Sequence, residues 1–168
     1  MALNIVLVEP EIPQNTGNIV RTCAALGATL HLVHPLGYSL DEKYLKRAGL
    51  DYWPLLTLVE WPSFTAFWEA KAGEHLYYFT TKAPRTYTQV HYPDDVYLLF
   101  GKESAGLDEG LLAEHPERCL RIPMREAIRS LNLSNTVAIA SYEWERQRTF
   151  SGLQMQGNLH RLTYKEIS

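Results

Sequence analysis

Three short segments combine glycine, asparagine, serine and charged residues in patterns that could bind or activate a ligand. They are Asn15–Arg21, Phe100–Leu107, and the pair formed by Ile122–Met124 and Ser130–Ala138. An arginine can stabilise a developing negative charge, and a glycine lets the backbone approach a ligand closely. Asparagine and serine side chains can hold a loop by hydrogen bonds to its backbone. These segments are therefore the candidates for a binding and catalytic site.

The first segment predicts the start of a helix. The polar turn Asn15–Asn18 can cap a helix, and Arg21 follows one turn inside it. Two interpretations fit these residues. The turn is a plain cap followed by a solvated arginine, or a rigid helix start presents Arg21 to an anionic group.

In the second segment, a predicted buried strand ends at Phe100 and continues into a loop that contains Gly101 and Gly106. Ligands of α/β proteins bind at the carboxyl ends of such strands. Gly101 has no side chain, so its backbone could come close to a ligand. A tight turn without a ligand is the alternative interpretation.

The third segment holds more polar residues than a helix cap needs. Ser130, Asn132, Ser134 and Asn135 lie within six positions, interleaved with leucines, where a long helix is predicted to begin. One of these residues would be enough for an N-cap. The surplus indicates a backbone that side chains hold in place around a ligand.

Other common site patterns are absent from the sequence. It contains no Gly-x-Gly-x-x-Gly after the first strand, no Walker-type loop, no Gly-x-Ser-x-Gly elbow and no His-Glu-x-x-His helix. This argues against an ordinary Rossmann dehydrogenase or P-loop enzyme. The two cysteines, Cys23 and Cys119, and the six scattered histidines show no metal-ligand spacing. We therefore expect buried, reduced thiols and no metal ion.

The charge balance limits the kind of nucleic-acid binding that is expected. With 16 basic and 19 acidic residues the net charge is −3, which excludes wholesale coating of nucleic acid but permits a local basic patch. Six arginines face three glutamates between positions 118 and 148, and a solvated face explains such a cluster equally well. The arginines are Arg118, Arg121, Arg125, Arg129, Arg146 and Arg148.

The elements that must position these segments alternate between strand and helix. Strands are predicted at Leu3–Val8, Thr29–Val33, Leu55–Val59, Leu76–Thr80, Val96–Phe100 and Cys119–Ile122. Helices are predicted before Gly27 and at Ser39–Ala48, Pro62–Lys71, Leu107–Leu112 and Leu131–Arg148. This alternation predicts an α/β fold with a mainly parallel sheet and helices on both faces.

The length of 168 residues and an apolar share of 46% predict one domain with a substantial core. We expect this domain to span residues 1–150, followed by a loosely ordered polar tail over 151–168. No run approaches the length of a membrane span, and the first residues lack a signal-peptide pattern. The expected location is the cytoplasm, with no membrane association.

Taken together and in this order, the three segments closely resemble the signatures of the SPOUT superfamily of methyltransferases. Those signatures are Asn-x-Gly-Asn-x-x-Arg, Phe-Gly-x-Glu-x-x-Gly-Leu, and Ile-Pro-Met followed by Ser-Leu-Asn-Leu-Ser-Asn-x-x-Ala. All three are intact here. The stretches Leu3–Pro13 and Arg47–Tyr52 also resemble the minimal branch of that superfamily, whose members lack an added RNA-binding domain. The resemblance covers about residues 2 to 150.

The resemblance implies a fold and a cofactor that periodicity does not reveal. It implies that the C-terminal part of the sheet is threaded into a trefoil knot, and that S-adenosylmethionine lies bent in this knot with its adenine held by main-chain groups of three loops. The positions that match the cofactor site are Phe79, Gly101, Ile122, Ser130 and Leu131. For Phe79 and Ile122, plain core packing is the alternative.

The resemblance also implies the reaction and the partners. Members of the branch methylate the 2′-oxygen of the wobble nucleotide of leucine tRNAs, position 34, which is a cytidine or a modified uridine. Arg21 matches the catalytic arginine, which a partner subunit contributes across the interface of a homodimer. We interpret it as a cation that stabilises the developing alkoxide, because guanidinium does not lose its proton. Arg129 and Tyr142 are the candidates for contacts with the tRNA anticodon loop.

Two alternatives remain open at this point. The protein could be a methyltransferase of the same fold that acts on ribosomal RNA or on another tRNA site. It could also be a cofactor-free RNA-binding module in which the three loops are purely structural. Binding of S-adenosylmethionine distinguishes the second alternative, which predicts none.

Overall fold

Seven parallel strands form one sheet in the computed structural model, which describes residues 1–41, 43, 47 and 51–165. In the described part of the chain their order across the sheet is β3-β2-β1-β6-β4-β7-β5. The strands are β1 (Ala2–Val8), β2 (Thr29–Val33), β3 (Thr57–Trp61), β4 (Leu76–Phe79), β5 (Arg85–Thr86), β6 (Asp95–Phe100) and β7 (Cys119–Arg121). The predicted mainly parallel sheet is confirmed.

Four described helices cover the two faces of this sheet. They are α1 (Pro13–Leu26), α2 (Phe64–Lys71), α3 (Glu109–Glu114) and α4 (Leu133–Gln147), and short 3-10 turns lie at Trp53–Leu55 and Pro116–Arg118. Helices α1 and α4 pack against each other. None of the helices in the described ranges is long and apolar enough to cross a lipid bilayer.

The residues of β1 show why the strand is buried on both faces. Leu3, Ile5 and Leu7 join one apolar cluster with residues of α1 and α4, whereas Val6 joins a second cluster with Phe67 of α2. Successive side chains of a strand point to opposite faces, so a strand covered on both sides needs a nearly continuous apolar run. Strand β1 therefore has helices on both of its faces, as predicted.

The end of the sheet has an unusual order. The chain visits β4 and then β5, but β7 lies between them and pairs with both. The N–H groups of Thr80 and Tyr87, which follow β4 and β5, donate to the carbonyl oxygens of Leu120 and Arg121. The segment that joins β4 to β5 must therefore pass over β7. The trefoil knot implied by the resemblance stays a prediction.

Two predicted boundaries are wrong. Helix α1 begins at Pro13, so Asn15–Asn18 lie inside the helix and do not cap it. Proline has no N–H to satisfy and its fixed φ suits the first helical position. The strand predicted at Leu55–Val59 lies at Thr57–Trp61, because the 3-10 turn at Trp53–Leu55 takes up its first residue.

Other predictions lie close to the structure or outside it. The strand predicted at Thr29–Val33 is present with the same boundaries. The strands near residues 76, 96 and 119 and the helices after 62, 107 and 131 are present with boundaries shifted by one or two residues. The two-residue strand β5 was not predicted. Half of the residues of the helix predicted at Ser39–Ala48 lie outside the described residues. Residues 151–165 contain no helix or strand and are almost entirely exposed.

Both cysteines are buried and unpaired, as expected. Cys23 lies in the apolar cluster under α1, and burial raises the pKa of its thiol to about 12. The Cys119 thiol donates to the carbonyl oxygens of Leu112 and His115, and burial raises its pKa as well. Both thiols are therefore protonated at neutral pH and serve as core residues.

Candidate active site

A cavity of about 420 Å³ lies at the carboxyl ends of β4, β6 and β7. It is lined by the segments that follow these strands, together with the first turns of α1 and α4. This volume is in the range of small-molecule sites. All five residues predicted to hold a cofactor line this cavity, namely Phe79, Gly101, Ile122, Ser130 and Leu131. Arg129 lines it as well.

One wall of the cavity is apolar. The rings of Phe79 and Phe100 stack with their centroids 4.9 Å apart, at the ends of two neighbouring strands. Both residues also belong to the apolar cluster between the sheet and helices α1 and α4. Phe79 therefore serves the core and the cavity at once, so the two predicted roles for it do not exclude each other.

Glu103 fixes the glycine loop to the start of α1. Its carboxylate accepts hydrogen bonds from the backbone N–H groups of Glu11 (2.7 Å) and Ile12 (3.1 Å). Ile12 is the N-cap residue and its side chain makes no capping hydrogen bond. A residue more than ninety positions away therefore caps this helix, and its negative charge lies favourably at the positive end of the helix dipole.

The reverse contacts run from the α1 side to the loop. The Glu11 carboxylate accepts from the N–H (3.0 Å) and the hydroxyl (2.6 Å) of Ser104, and these bonds lower the pKa of Glu11. Lys102 donates to Glu9, which adopts a positive φ of 53° just after β1. The loop, which lines the cavity, and the segment before α1 thus hold each other in place.

Asn15 joins all three polar segments. Its side-chain N–H donates to Glu103 (3.1 Å), and its side-chain oxygen accepts from the side-chain N–H of Asn132 (3.0 Å). Asn15 is only 4% exposed, so both hydrogen bonds are partly buried. The first, second and third segments therefore meet in one hydrogen-bonded unit beside the cavity.

The third segment contains one cap and several residues with other tasks. Asn132 is the N-cap of α4, and its oxygen accepts from the N–H and the hydroxyl of Ser134. Its side-chain N–H is free to reach Asn15 in the same geometry. Ser130 lines the cavity and is exposed. Asn132 therefore caps α4 with its side-chain oxygen and binds Asn15 with its side-chain N–H.

Gly101 is required by the packing of the loop itself, and the predicted close approach to a ligand stays a prediction. A Cβ atom at this position would lie 2.0 Å from the carbonyl carbon of Gly106 and 2.3 Å from the nitrogen of Leu107. The loop closes on itself there, since Lys102 and Gly106 form a β-bridge. The close approach is therefore between two parts of the loop, and the position of Gly101 along the cavity follows from it.

The segment between β7 and α4 offers unpaired peptide groups to the cavity. In the described chain, a single backbone–backbone hydrogen bond lies within residues 123–131, from the N–H of Ile128 to the carbonyl of Arg125. Peptide groups without partners readily bond to a ligand. With the apolar wall of Phe79 and Phe100, this gives the cavity an apolar side and a hydrogen-bonding side, which fits an adenine ring.

Arg21 lies away from the cavity of its own chain. It is exposed in the third turn of α1 and does not line the cavity. Its guanidinium lies over the ring of Tyr52, with 4.8 Å from Cζ to the ring centroid, and its Nη2 donates to the Tyr52 hydroxyl (3.1 Å). Arg21 thus has a defined position, set by Tyr52, for which no role was predicted.

The predicted RNA contacts fall in two places. Arg129 is exposed at the cavity, whereas Tyr142 is 47% exposed on α4 and does not line it. Within the described ranges, neither Arg125 nor Arg129 forms an ion pair, so their charges are available to an anionic ligand.

Some of the six arginines in the predicted basic cluster are paired with acidic side chains, so fewer of them are available to a nucleic acid. Arg146 forms two hydrogen bonds with Glu143, and Arg148 pairs with Asp94 and lies over the ring of Trp144. Arg118 lies 3.6 Å from Glu117. These three arginines lie beside acidic side chains, so half of the six positive charges are compensated within the chain. The positions of the arginines are visible in the sequence, but their ion-pair partners are not.

No group of three His, Cys, Asp or Glu side chains suited to a metal ion occurs among the described residues.

The contacts of Glu103 and Tyr52, and the two contacts each of Asn15 and Asn132, were not predicted from the sequence. One signal for Glu103 was present, because α1 starts at Pro13 without a preceding Ser, Thr, Asp or Asn. A helix start without a local cap needs an acceptor from elsewhere in the chain.

Comparison with known proteins places this cavity in context. The model of a family described as the SpoU rRNA Methylase family matches residues 2–142. The chain is 46% identical over 151 residues to the tRNA (cytidine(34)-2'-O)-methyltransferase of Escherichia coli strain K12, covering 89% of this chain and 96% of the relative. It is 47% identical to the protein of the same name from Aeromonas hydrophila, covering 89% and 97%.

Two solved structures have the same fold. One, described as giving structural insights into the 2-OH methylation of C/U34 on tRNA, has a TM-score of 0.84 and 48% identity, and the match covers 89% of this chain and 97% of that one. The other is the SpoU methyltransferase AviRb from Streptomyces viridochromogenes in complex with AdoMet. It has a TM-score of 0.72 and 28% identity, with coverage of 90% and 59%.

Proposed function

The chain belongs to the SpoU rRNA methylase family, and from this premise we propose that it transfers a methyl group from S-adenosylmethionine to the 2′-oxygen of the wobble nucleotide of tRNA. The observation that carries the proposal is the cavity at which the three polar segments meet through Asn15. The relatives named for position 34 support the choice of nucleotide. A cytidine or a modified uridine there, and leucine tRNAs as substrates, follow from the family resemblance.

The residues around the cavity fit the proposed methyl donor. Phe79 and Ile122 supply apolar contacts, and the loop after Gly101 and the peptide groups before Leu131 supply hydrogen bonds for the adenine and ribose. Ser130 adds a hydroxyl at the opening. When bound, S-adenosylmethionine supplies a methyl group on a positively charged sulfur, so the reaction needs no metal ion.

The protein must align the 2′-hydroxyl with the methyl group, exclude water and stabilise the oxygen as its proton leaves. Alignment alone is worth on the order of 7–11 kcal/mol. We assign Arg21 to the third task, since a fixed cation lowers the energy of a developing alkoxide and can also hold a neighbouring phosphate. The guanidinium keeps its own proton, so the hydroxyl proton passes to phosphate or water.

We propose that the protein acts as a homodimer in which Arg21 of one protomer completes the cavity of its partner. Along α1, Arg21 lies about 9 Å from the cavity residue Asn15 and is rotated by about 240° around the helix axis. A helix cannot present both side chains to one cavity from these positions. Ile139 and Tyr142 are also exposed on α4, which packs beside α1, and such apolar groups suit an interface.

The proposed RNA site combines charge with an aromatic side chain. Arg125 and Arg129 lie on the exposed segment beside the cavity and would contact phosphates of the anticodon loop. Tyr142 would stack on a displaced base or contribute to the dimer interface. A trefoil knot formed by the segment over β7 and a cytoplasmic location, where tRNA is found, complete the proposal.

The proposal is tested by donor binding and by methyl transfer. Calorimetry with S-adenosylmethionine should show one site per chain, whereas a cofactor-free RNA-binding module predicts no binding. Incubation with labelled S-adenosylmethionine and either total tRNA or ribosomal RNA should then label the tRNA fraction. Label in ribosomal RNA alone would favour the alternative that this fold acts on the ribosome.

A further inference from the structure

Tyr52 has no part in the cavity, yet it makes the defining contact of the proposed catalytic arginine. It closes the Arg47–Tyr52 stretch of the sequence, for which the proposed reaction provides no task. Its hydroxyl accepts from Nη2 of Arg21, and its ring lies under the guanidinium at 4.8 Å. These are the contacts that the structure gives to the Arg21 side chain.

Tyr52 is itself held in place. It is half-buried against the apolar cluster of β1, α1 and α4. Its carbonyl oxygen accepts from the N–H of Leu55 and so begins the 3-10 turn Trp53–Leu55, which contacts α1. Tyr52 therefore has a fixed position and can restrict the rotamers of Arg21, whereas an exposed arginine without such a contact would sample many rotamers.

The geometry leaves Arg21 able to bind a second group. A guanidinium has five N–H donors in one plane, and among the described residues a single donor is committed, to the Tyr52 hydroxyl. An aromatic ring takes up the face of the guanidinium and leaves its edges open. The remaining donors therefore point outward from α1, in a direction that the ring and the hydroxyl of Tyr52 determine together.

We propose that Tyr52 is a positioning residue that holds the Arg21 guanidinium in the orientation required to stabilise the 2′-oxygen in the partner's cavity. This inference rests on the role proposed for Arg21. It explains why an aromatic residue with a hydroxyl lies at this position, since a plain core residue would supply the fixed contact without the hydrogen bond. Misplacing such a group by about 1 Å costs about a hundredfold in rate.

Four variants and one control test the proposal in the full-length protein. They are Tyr52→Phe, Tyr52→Leu, Arg21→Ala, the double variant Tyr52→Leu with Arg21→Ala, and the control Trp53→Leu, which alters packing on the same turn without a contact to Arg21. Tyr52→Leu should lower kcat about tenfold to a hundredfold with an unchanged KM for S-adenosylmethionine. Tyr52→Phe keeps the ring and should lose a few-fold, and Trp53→Leu should keep the wild-type kcat.

The decisive comparison measures the effect of Tyr52→Leu on kcat in the wild type and in the Arg21→Ala variant. Tyr52→Leu should have no further effect on kcat when Arg21 is already alanine, because a positioning residue acts through the group that it positions. An equal fall in kcat in both backgrounds would overturn the proposal and show a structural role for Tyr52.

A readout independent of activity separates this inference from the proposed function. Relaxation of the Arg21 Nε–H signal by NMR should show an ordered side chain in the wild type and in Trp53→Leu, and a mobile one in Tyr52→Leu. An equally ordered signal in Tyr52→Leu would overturn the positioning role. A mobile signal in Tyr52→Leu, combined with full activity in Tyr52→Leu and in Arg21→Ala, would instead contradict the catalytic role proposed for Arg21.

Discussion

Asn15 shows how much of this site depends on single hydrogen-bonding atoms. Its oxygen and its nitrogen serve different partners, Asn132 on one side and Glu103 on the other. An aspartate at this position could not donate to Glu103, and a serine could not span both partners. The residue type is therefore dictated by two contacts that are about ninety and more than a hundred positions away in the sequence.

Replacing Arg21 by alanine should lower turnover about a hundredfold to a thousandfold, or ~3–4 kcal/mol, because a charge that stabilises the developing alkoxide is lost. The affinity for S-adenosylmethionine should stay the same, since Arg21 does not line the cavity of its own chain. Arg21→Lys should restore activity only in part, because an ammonium lacks the planar fork. Single-turnover rates and calorimetry measure the two effects separately.

The same variant tests whether Arg21 acts across the interface. Mixing Arg21→Ala protomers with Leu131→Trp protomers, whose larger side chain obstructs the cavity, should create mixed dimers with one working site. If the two variants exchange subunits and no activity returns, Arg21 acts within its own chain or has no catalytic role.

Glu103→Gln should reduce stability by about 1–3 kcal/mol, because an amide N–H₂ would face one of the backbone or Asn15 donors that the carboxylate now accepts. It should also weaken donor binding, since the same loop lines the cavity. The matched control is Glu109→Gln. Glu109 is 76% exposed and paired with Lys82, so its replacement should cost at most about 1 kcal/mol. Equal midpoints of urea unfolding for both variants would refute the capping role.

At the level of residues, the sequence predicted which positions surround the cavity better than it predicted why. Phe79, Gly101, Ile122, Ser130 and Leu131 come together because parallel strands end at one edge of the sheet. The contacts of Glu103 and Tyr52 could not be predicted, because both depend on partners brought close by the fold alone. A local pattern does not contain such a distance.

Among the elements, the loop from Gly101 to Gly106 places the strictest demand on its residues. Gly101→Ala should displace the loop and cost about 1–3 kcal/mol, since the new Cβ meets two backbone atoms that cannot rotate away. Donor affinity should fall with it. The control Gly27→Asn has open space around its Cβ, a φ of +65° that asparagine tolerates and a position outside the cavity lining, so it should retain both properties. Thermal unfolding and calorimetry would contradict this if Gly101→Ala behaved like the control.

The element boundaries show where local patterns are sufficient. The strands β1 and β2 were predicted well, because a nearly continuous β-branched run has few alternatives in an α/β protein. The start of α1 was misplaced, because the polar Asn15–Asn18 turn resembles a cap while the true cap is supplied by Glu103. The short strand β5 has two residues and exists through its pairing with β7. Its sequence alone carries no strand signal.

At the scale of the whole molecule, the buried residue His31 should make the stability of the fold depend on pH. The Nδ1 of His31 accepts from the indole N–H of Trp61, so its Nε2–H donates to Asn4. The ring therefore joins β1, β2 and β3 in its neutral form. Burial, together with the nearby charge of Lys71, lowers the pKa of His31 to about 4. The unfolded chain binds a proton at this residue near pH 6.5.

Stability should therefore be fully present above about pH 6.5 and should fall as the pH drops toward 4, by at most ~1.4 kcal/mol per pH unit from this group. His31→Gln removes the ionisable group and should flatten the dependence. The difference between the two proteins, measured by urea unfolding between pH 5 and 6.5, excludes the carboxylates that titrate in both. Parallel curves for the wild type and His31→Gln would show that His31 is not the group responsible.

The most direct measurement is methyl transfer to two tRNAs that differ in one oxygen. One leucine tRNA carries all of its 2′-hydroxyl groups, and the other has a 2′-deoxynucleotide at position 34 only. With labelled S-adenosylmethionine, the first should accept one methyl group per molecule, which nuclease mapping should place at position 34, and the second should accept none. Equal labelling of the two tRNAs, or label at any other nucleotide, would contradict the proposal that this cavity methylates the wobble ribose.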